Sequence, residues 1–237
     1  MLPACGSIPA YHFMPGHDHP VLQWDLPHGV RVAYSTIADG DQRDRDARHA
    51  WLASHGIARC IVPRQIHGTR IVQADADHQD LAQADGVVTT DKNTALGAFG
   101  ADCPGLVLVA HDALCVAHCG WRGVAGGIVA RLVDAMRTVT ASEPARWSAF
   151  IGPGISAPSY EVDQPVLTAR SWPASAVTLG RTGYAWLDVA ETIAVDLADL
   201  GISSIHRSRI CTQNDPRLWS YRQRGAGQVQ MLVAWRG

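Results

Sequence analysis

Lysine is nearly absent from this chain: of twenty basic residues only Lys92 is a lysine and the rest are arginine. Glutamate is scarce as well, with Glu143, Glu161 and Glu191 the whole set. A formal net charge of −2 offers no general attraction to phosphate backbones or anionic lipid, so neither nucleic acid nor membrane is an expected partner. Arginine suits planar, bidentate recognition of small anions, although compositional bias is the simpler reading of its excess. No apolar stretch approaches the roughly 20 residues needed to cross a bilayer. The opening Met-Leu-Pro-Ala-Cys-Gly-Ser lacks both the basic and the apolar region of a secretory signal. The cysteines, at 5, 60, 103, 115, 119 and 211, include no C-x-x-C pair and no dense framework. A reduced, cytoplasmic setting is therefore expected.

What remains is an ordinary globular composition, 47% apolar and 18% charged over 237 residues, long enough to bury a large core. Residues 1–19 carry Pro, Gly and His without periodicity and read as a loose extension, followed by one domain over 20–237. Its His17-Asp18-His19 run is the only His-x-His in the chain and reads as incidental. Between Val21 and Ser35 the apolar residues alternate like two strands turned at Pro27-His28-Gly29. The mixed-charge run 40–49 leads into a helix over Ala50–His55 that ends at Gly56. Short apolar runs at 57–62, 70–73, 86–89, 95–99, 106–110, 114–117, 147–151, 205–210 and 229–235 predict strands. Helical spacing predicts helices over 124–139 and 189–200. The sum is a mixed α and β single domain. Nothing in the pattern specifies an oligomeric state.

Chemistry concentrates where strands run into turns. In Leu114-Cys-Val-Ala-His-Cys-Gly-Trp-Arg-Gly123, an apolar strand ends at a Gly-bracketed turn before a helix. His118 sits at the strand mouth, and Arg122 with the turn amides can hold an anion. Cys115 and Cys119 share the other face of that strand and read as small buried hydrophobes. Gly100-Ala-Asp-Cys-Pro-Gly105 places Asp102 and Cys103 at a forced turn, where a thiol is exposed enough to ligate a metal or act as a nucleophile. Gln65-Ile-His-Gly68 places His67 at another. Two imidazoles and one thiolate suit zinc, and three protein ligands leave the open position typical of a catalytic site. The same residues also permit a cysteine hydrolase, with Cys103 as nucleophile, His118 as base and His67 as orienting group.

Five motifs stand in order: Gln65-Ile-His-Gly, Ala101-Asp-Cys-Pro, His118-Cys-Gly-Trp-Arg-Gly, Ile151-Gly-Pro-Gly-Ile-Ser-Ala-Pro-Ser-Tyr-Glu-Val162, and Cys211-Thr with Ser220-Tyr-Arg. Together they resemble the YfiH family, also called the laccase-domain or polyphenol oxidase family, whose members include purine nucleoside phosphorylases. The match runs from about Val21 to Trp235. The resemblance implies an α+β fold, a layered α/β sandwich with a mixed sheet, distantly like the hydrolase domain of cytotoxic necrotizing factors. It implies that His67, Cys103 and His118 ligate a metal, normally zinc, with copper as the alternative tied to polyphenol oxidation. It further implies phosphorolysis of adenosine, inosine and methylthioadenosine, together with adenosine deamination, and it places Arg122, Tyr221 and Arg222 around the nucleoside and phosphate. A role in peptidoglycan editing has also been proposed in the family.

Deamination needs a carboxylate to carry the proton, for which Asp102 and Glu161 are the candidates. The nucleic-acid deaminase signature, H-x-E with P-C-x-x-C, is absent. This chain departs from the family pattern after Ser35-Thr36: an Arg, a Gly-Gly-x-Ser loop and Ser-Leu-Asn are replaced by the short Ile-Ala-Asp-Gly-Asp-Gln. That change is expected to remove one wall of the substrate pocket. Cys119 and Ser159 stand where the family usually has Ala and Cys. A metal-binding protein that has lost catalysis is the non-enzymatic alternative.

Overall fold

The computed structural model describes residues 21–74, 83–225 and 227–237, so the extension expected at 1–19, with its His17 and His19, lies outside the described residues. In chain order the strands are β1 (Leu22–Leu26), β2 (Val30–Tyr34), β3 (Cys60–Ile61), β4 (Ile71–Gln73), β5 (Gly86–Thr89), β6 (Ala95–Gly100), β7 (Gly105–Val109), β8 (Leu114–His118), β9 (Ser148–Ile151), β10 (Glu161–Val162), β11 (Val177–Leu179), β12 (Ala185–Leu187), β13 (Ser204–Arg207) and β14 (Gln230–Arg236). The helices are α1 (Arg45–Ser54), α2 (Trp121–Ala125), α3 (Ile128–Val139), α4 (Gln164–Leu167), α5 (Val189–Asp199) and α6 (Tyr221–Arg224).

Two large sheets face one another. One has the order β1-β2-β14-β6-β3 and the other β13-β9-β7-β8-β5-β4, while β10-β12-β11 form a small third sheet. Both large sheets are mixed: β3 runs parallel to β6, and β4 to β5 and β13 to β9, within otherwise antiparallel ladders. Alternation decides which side chains meet between the sheets. Trp24, Val32, Leu96 and Leu232 of the first sheet share a buried cluster with Val107, Val116 and Phe150 of the second. The outer face of the first sheet, with Ala33, Met231 and Val233, is covered by Trp51 and Leu52 of α1. On the outer face of the second, Leu106, Leu108 and Cys115 pack under Ile128, Leu132 and Met136 of α3 and Ile193 and Leu197 of α5. The expected single-domain layered sandwich is thus built as helix, sheet, sheet, helices.

Differences from the sequence expectations have local causes. The helix expected over 124–139 is two helices, because Gly127 takes a left-handed backbone (φ 89) and starts α3 afresh. α1 begins inside the mixed-charge run, since the Asp44 carboxylate accepts from the amides of Asp46 and Ala47 and so caps it. The strand expected over 205–210 stops at Arg207, ahead of Arg209 at φ 56. The small third sheet has strands too short to show a periodicity.

This topology brings strand ends together. Gly105, opening β7, lies opposite His118, closing β8, and Gly86, opening β5, lies opposite Ala117. Whatever precedes β5 and β7 and ends β8 must therefore share one end of the second sheet.

Leu132 is fully buried where α3 covers that sheet. Leu132→Ala is expected to lower stability by about 2–5 kcal/mol in a denaturant titration, through lost burial and the cavity it leaves.

Candidate metal centre

Asp85, immediately before β5, organises this end of the sheet. Its side chain is wholly buried, and its Oδ1 accepts from the amide of His67 at 2.9 Å and stands 2.9 Å from Nδ1 of His118. Its Oδ2 accepts from the amides of Gly68 at 2.7 Å and Ile66 at 3.2 Å. The backbone carbonyl of the same residue accepts from the His118 amide at 2.7 Å. One residue thereby fixes the loop that carries His67 and the orientation of the His118 ring. Gln65 pins the loop from its other side, donating to the Phe99 carbonyl at 2.8 Å and accepting from the Phe99 amide at 2.7 Å.

Cys103 arrives from the turn between β6 and β7. The side-chain donor atoms of His67, Cys103 and His118 all lie within 4.8 Å of one another. The two imidazole rings stand 4.7 Å apart and nearly perpendicular. His118 is buried, Cys103 is intermediate and His67 is exposed, so the group opens outward on the His67 side. Gly120 makes the room: a Cβ there would lie 3.0 Å from Cδ2 of His67, 3.2 Å from Sγ of Cys103 and 3.4 Å from Cε1 of His118. Cys115 and Cys119 are buried in the cluster beneath α3.

The electrostatics are those of a prepared ligand set. Burial opposes ionisation of Asp85, but hydrogen bonds from His118 and the Gly68 and Ile66 amides outweigh it and hold its carboxyl below the usual range. Burial likewise works against a Cys103 thiolate, yet the bonds from His118 and His67 bring it down to about 6. His118 loses from burial and gains more from Asp85 and Cys103, which lift it to about 9. With Nδ1 committed to Asp85, Nε2 of His118 is the nitrogen left for a metal, the carboxylate–histidine arrangement that orients zinc ligands. Two nitrogens, a thiolate and an open side fit zinc, and copper accepts the same donors.

Above the triad lies a cavity of about 950 Å³ that takes in His67, Cys103 and His118 and also every other residue singled out from sequence: Asp102, Arg122, Glu161, Tyr221 and Arg222. Their partners differ. Arg122 lies 4.3 Å over the Trp121 ring, and Arg222 lies 4.9 Å over the Tyr160 ring while donating to the Glu161 carbonyl at 2.9 Å. Tyr221 is exposed. The Glu161 carboxylate is paired with Arg181 at 3.0 Å. Asp102 turns to Thr212 and the Arg222 amide, with both oxygens engaged. The segment that replaces the family's longer loop folds as a compact turn, Thr36 and Asp39 capping one another through the amide of Thr36 at 2.7 Å. Sequence reading gave Asp85 no role and carried Gln65 and Tyr160 only as letters of their motifs. The available signal for Asp85 was a carboxylate at the mouth of the wholly buried strand Gly86–Thr89, where an ionised group needs a set of partners.

Fold and site define a two-sheet α+β sandwich with a nitrogen–sulfur metal-type centre at the floor of an open cavity. The family model described as multi-copper polyphenol oxidoreductase laccase matches residues 33–236, and the chain belongs to that family. A purine nucleoside phosphorylase of Xylella fastidiosa strain Temecula1 is 34% identical over 92% of this chain and 96% of its own length. A purine nucleoside phosphorylase of Corynebacterium glutamicum is 34% identical over 75% of this chain and 74% of its own. Among solved structures, YlmD from Geobacillus stearothermophilus superposes with a TM-score of 0.84 at 23% identity, covering 96% of this chain and 98% of that one. Protein NMB0706 from Neisseria meningitidis gives 0.80 at 24% identity, over 91% and 98%. These two share the fold. Among the described residues, His67, Cys103 and His118 form the one group able to hold an ion, a donor set for a single metal. No helix of the described chain is long and apolar enough to cross a membrane.

Two outcomes follow from this geometry. Asp85→Asn is expected to weaken zinc affinity about 10–100-fold, measured by competition with a chelating dye, because His118 and the His67 loop lose their charged acceptor. In metal-free protein the Cys103 thiolate forms as pH rises through about 6. Its alkylation by iodoacetamide should therefore be half-maximal there, whereas Cys60, pushed up to about 12 by burial, stays inert at neutral pH. A Cys103 rate still climbing steeply above pH 8 would contradict the ion pair with His118.

Proposed function

We propose that this chain is a zinc-dependent purine nucleoside enzyme. It cleaves adenosine, inosine and methylthioadenosine with phosphate, and deaminates adenosine as a second reaction. The reading is carried by the Xylella relative, named purine nucleoside phosphorylase and matched along nearly the whole chain. The cavity supports it. Arg43, Arg64, Arg122 and Arg222 line it, and none of the four is ion-paired with a carboxylate among the described residues. Unneutralised guanidiniums in a concave site suit an anionic co-substrate. Trp121, Tyr160 and Tyr184 offer flat faces for a purine.

In phosphorolysis a phosphate oxygen attacks the anomeric carbon of the ribose, the glycosidic bond breaks, and its electron pair leaves with the purine, which takes up a proton. Arg122 and Arg222 hold the phosphate in this scheme, each with its guanidinium over a neighbouring aromatic ring. Tyr221 covers the nucleoside from the exposed rim. Asp85 keeps His118 in one tautomer throughout. A zinc ion in the triad would supply Lewis acidity and a polarised water for deamination. The proton-carrying role expected for Asp102 or Glu161 finds no support in their contacts, since both carboxylates are already engaged.

One observation favours a second reading. Cys103, His118 and Asp85 stand in the order nucleophile, base and orienting carboxylate, as in a cysteine hydrolase. In that reading the orienting group is Asp85, not His67, and metal inhibits.

Metal analysis of the purified protein beside Cys103→Ala, coupled to chromatography of adenosine or inosine with phosphate, separates the readings. The expected result is about one zinc per chain, lost in the variant together with formation of adenine, hypoxanthine or inosine. Zinc without turnover would overturn the substrate assignment. A metal-free protein whose hydrolase activity is abolished by added zinc would replace it with the cysteine hydrolase.

A further inference from the structure

Helix α6 meets the rest of the cavity wall through arginines rather than through a packed apolar face: Arg222 lies 4.9 Å over the Tyr160 ring and Arg224 5.4 Å over the Trp219 ring. It spans only Tyr221–Arg224, and none of its residues is buried. A helix this short does not persist by itself, so beyond the buried Leu218 and Ser220 that lead into it, polar ties at its first turn hold its place. Two of them pair an amide with a side chain. The Ser220 hydroxyl accepts from the Gln223 amide at 3.2 Å, a local cap that shapes the turn but ties it to nothing else. The Arg222 amide donates to Asp102 at 2.7 Å, and Asp102 lies 120 positions away in sequence. The Arg222 guanidinium adds a third tie, to the Glu161 carbonyl at 2.9 Å.

Asp102 is built for this contact. Its side chain is buried, and its other oxygen accepts from the Thr212 hydroxyl at 2.6 Å, which fixes the rotamer. Thr212 is itself fully buried, and its amide donates to the Gly154 carbonyl at 3.1 Å. The carbonyl of Asp102 accepts from the Ile155 amide at 2.8 Å. Its backbone is left-handed at φ 92, a conformation that Gly, Asn and Asp tolerate and larger residues resist. That turn sends the carboxylate toward α6 while the next residue, Cys103, joins His67 and His118.

We propose that Asp102 is a positioning residue: by accepting from the Arg222 amide it holds Tyr221 and Arg222 in register with the His67–Cys103–His118 centre. It touches neither metal nor substrate and acts through α6. Only the kinetic readout of its test rests on the nucleoside reading above.

Asp102→Asn and Asp102→Gly both accept the left-handed backbone, so each removes the charge without forcing the Cys103 turn to move. Hydrogen exchange is read in the zinc-loaded protein without substrate. The Arg222 amide is expected to exchange about tenfold to a hundredfold faster in both variants, the population equivalent of one charge-assisted hydrogen bond. Zinc content and exchange in β7 and β8 stay at the wild-type level. Thr212→Val, which frees the rotamer but leaves the charge, shifts exchange in the same direction by less. With inosine and phosphate, KM should rise while kcat holds. Unchanged exchange at Arg222 overturns the proposal whatever the activity. So does loss of zinc with uniformly faster exchange, which would make Asp102 a residue of general stability. Faster local exchange in a protein without phosphorolysis upholds the positioning role and removes only the nucleoside assignment.

Discussion

A carboxylate sealed from water has to be answered by hydrogen bonds or surrender its charge, and Asp85 is answered by three consecutive loop amides and an imidazole. The arrangement serves both parties. The amides of residues 66–68 belong to a tight loop in which His67 sits at φ 60, a backbone that a β-sheet ladder cannot satisfy. The carboxylate gives that loop the acceptors it lacks, and the loop gives the carboxylate its solvation. The chemistry of Cys103 and His118 follows from this exchange, because the imidazole that stabilises the thiolate is itself held charged and oriented by Asp85. In this sense the centre is assembled from the second sheet inward.

The sandwich explains why such a centre forms at this end. Strands β5, β7 and β8 lie side by side with their pairing running to the last residue, so the turns at 85, 103 and 118 are adjacent before any side chain is considered. Glycine then permits what the turns require. At Gly120 a single added carbon would crowd the Cys103 sulfur and a ring carbon of each imidazole. Two-sided burial keeps the sheet rigid, with Leu106, Leu108 and Cys115 beneath the helices and Val107 and Val116 against the other sheet. Ligand-bearing loops on such a scaffold hold their geometry without a metal to template them.

Much of this was legible from the sequence. Strand ends were marked by apolar runs meeting Gly or Pro, which is why His67, Cys103 and His118 stood out individually. The ordered motifs made them a set. Asp85 showed only as a carboxylate at a strand mouth: its partners are backbone amides of a loop seventeen to nineteen positions away, and amides leave no trace in residue identity. Tyr160 was hidden similarly, its relation to Arg222 being made only by folding. Asp102 was noticed as a candidate proton carrier beside the ligand Cys103, and folding adds that its carboxylate meets Thr212 and the Arg222 amide. Its neighbour in sequence is a ligand, but a left-handed backbone separates what two adjacent side chains face. The short strands of the third sheet and the four-residue helix α6 carry too few residues for any periodicity to emerge, and tertiary contacts decide them.

The unequal exposure of the three donors has a consequence for traffic. His118 is buried and His67 is exposed in the cavity, so an ion held by the three donors would be reached from the same space in which the proposed substrate would lie. Occupant and ion would then share one doorway and be nested within it. The inner guest could not exchange until the outer one had gone, so a working enzyme would retain its metal best when it is busiest and surrender it most easily at rest.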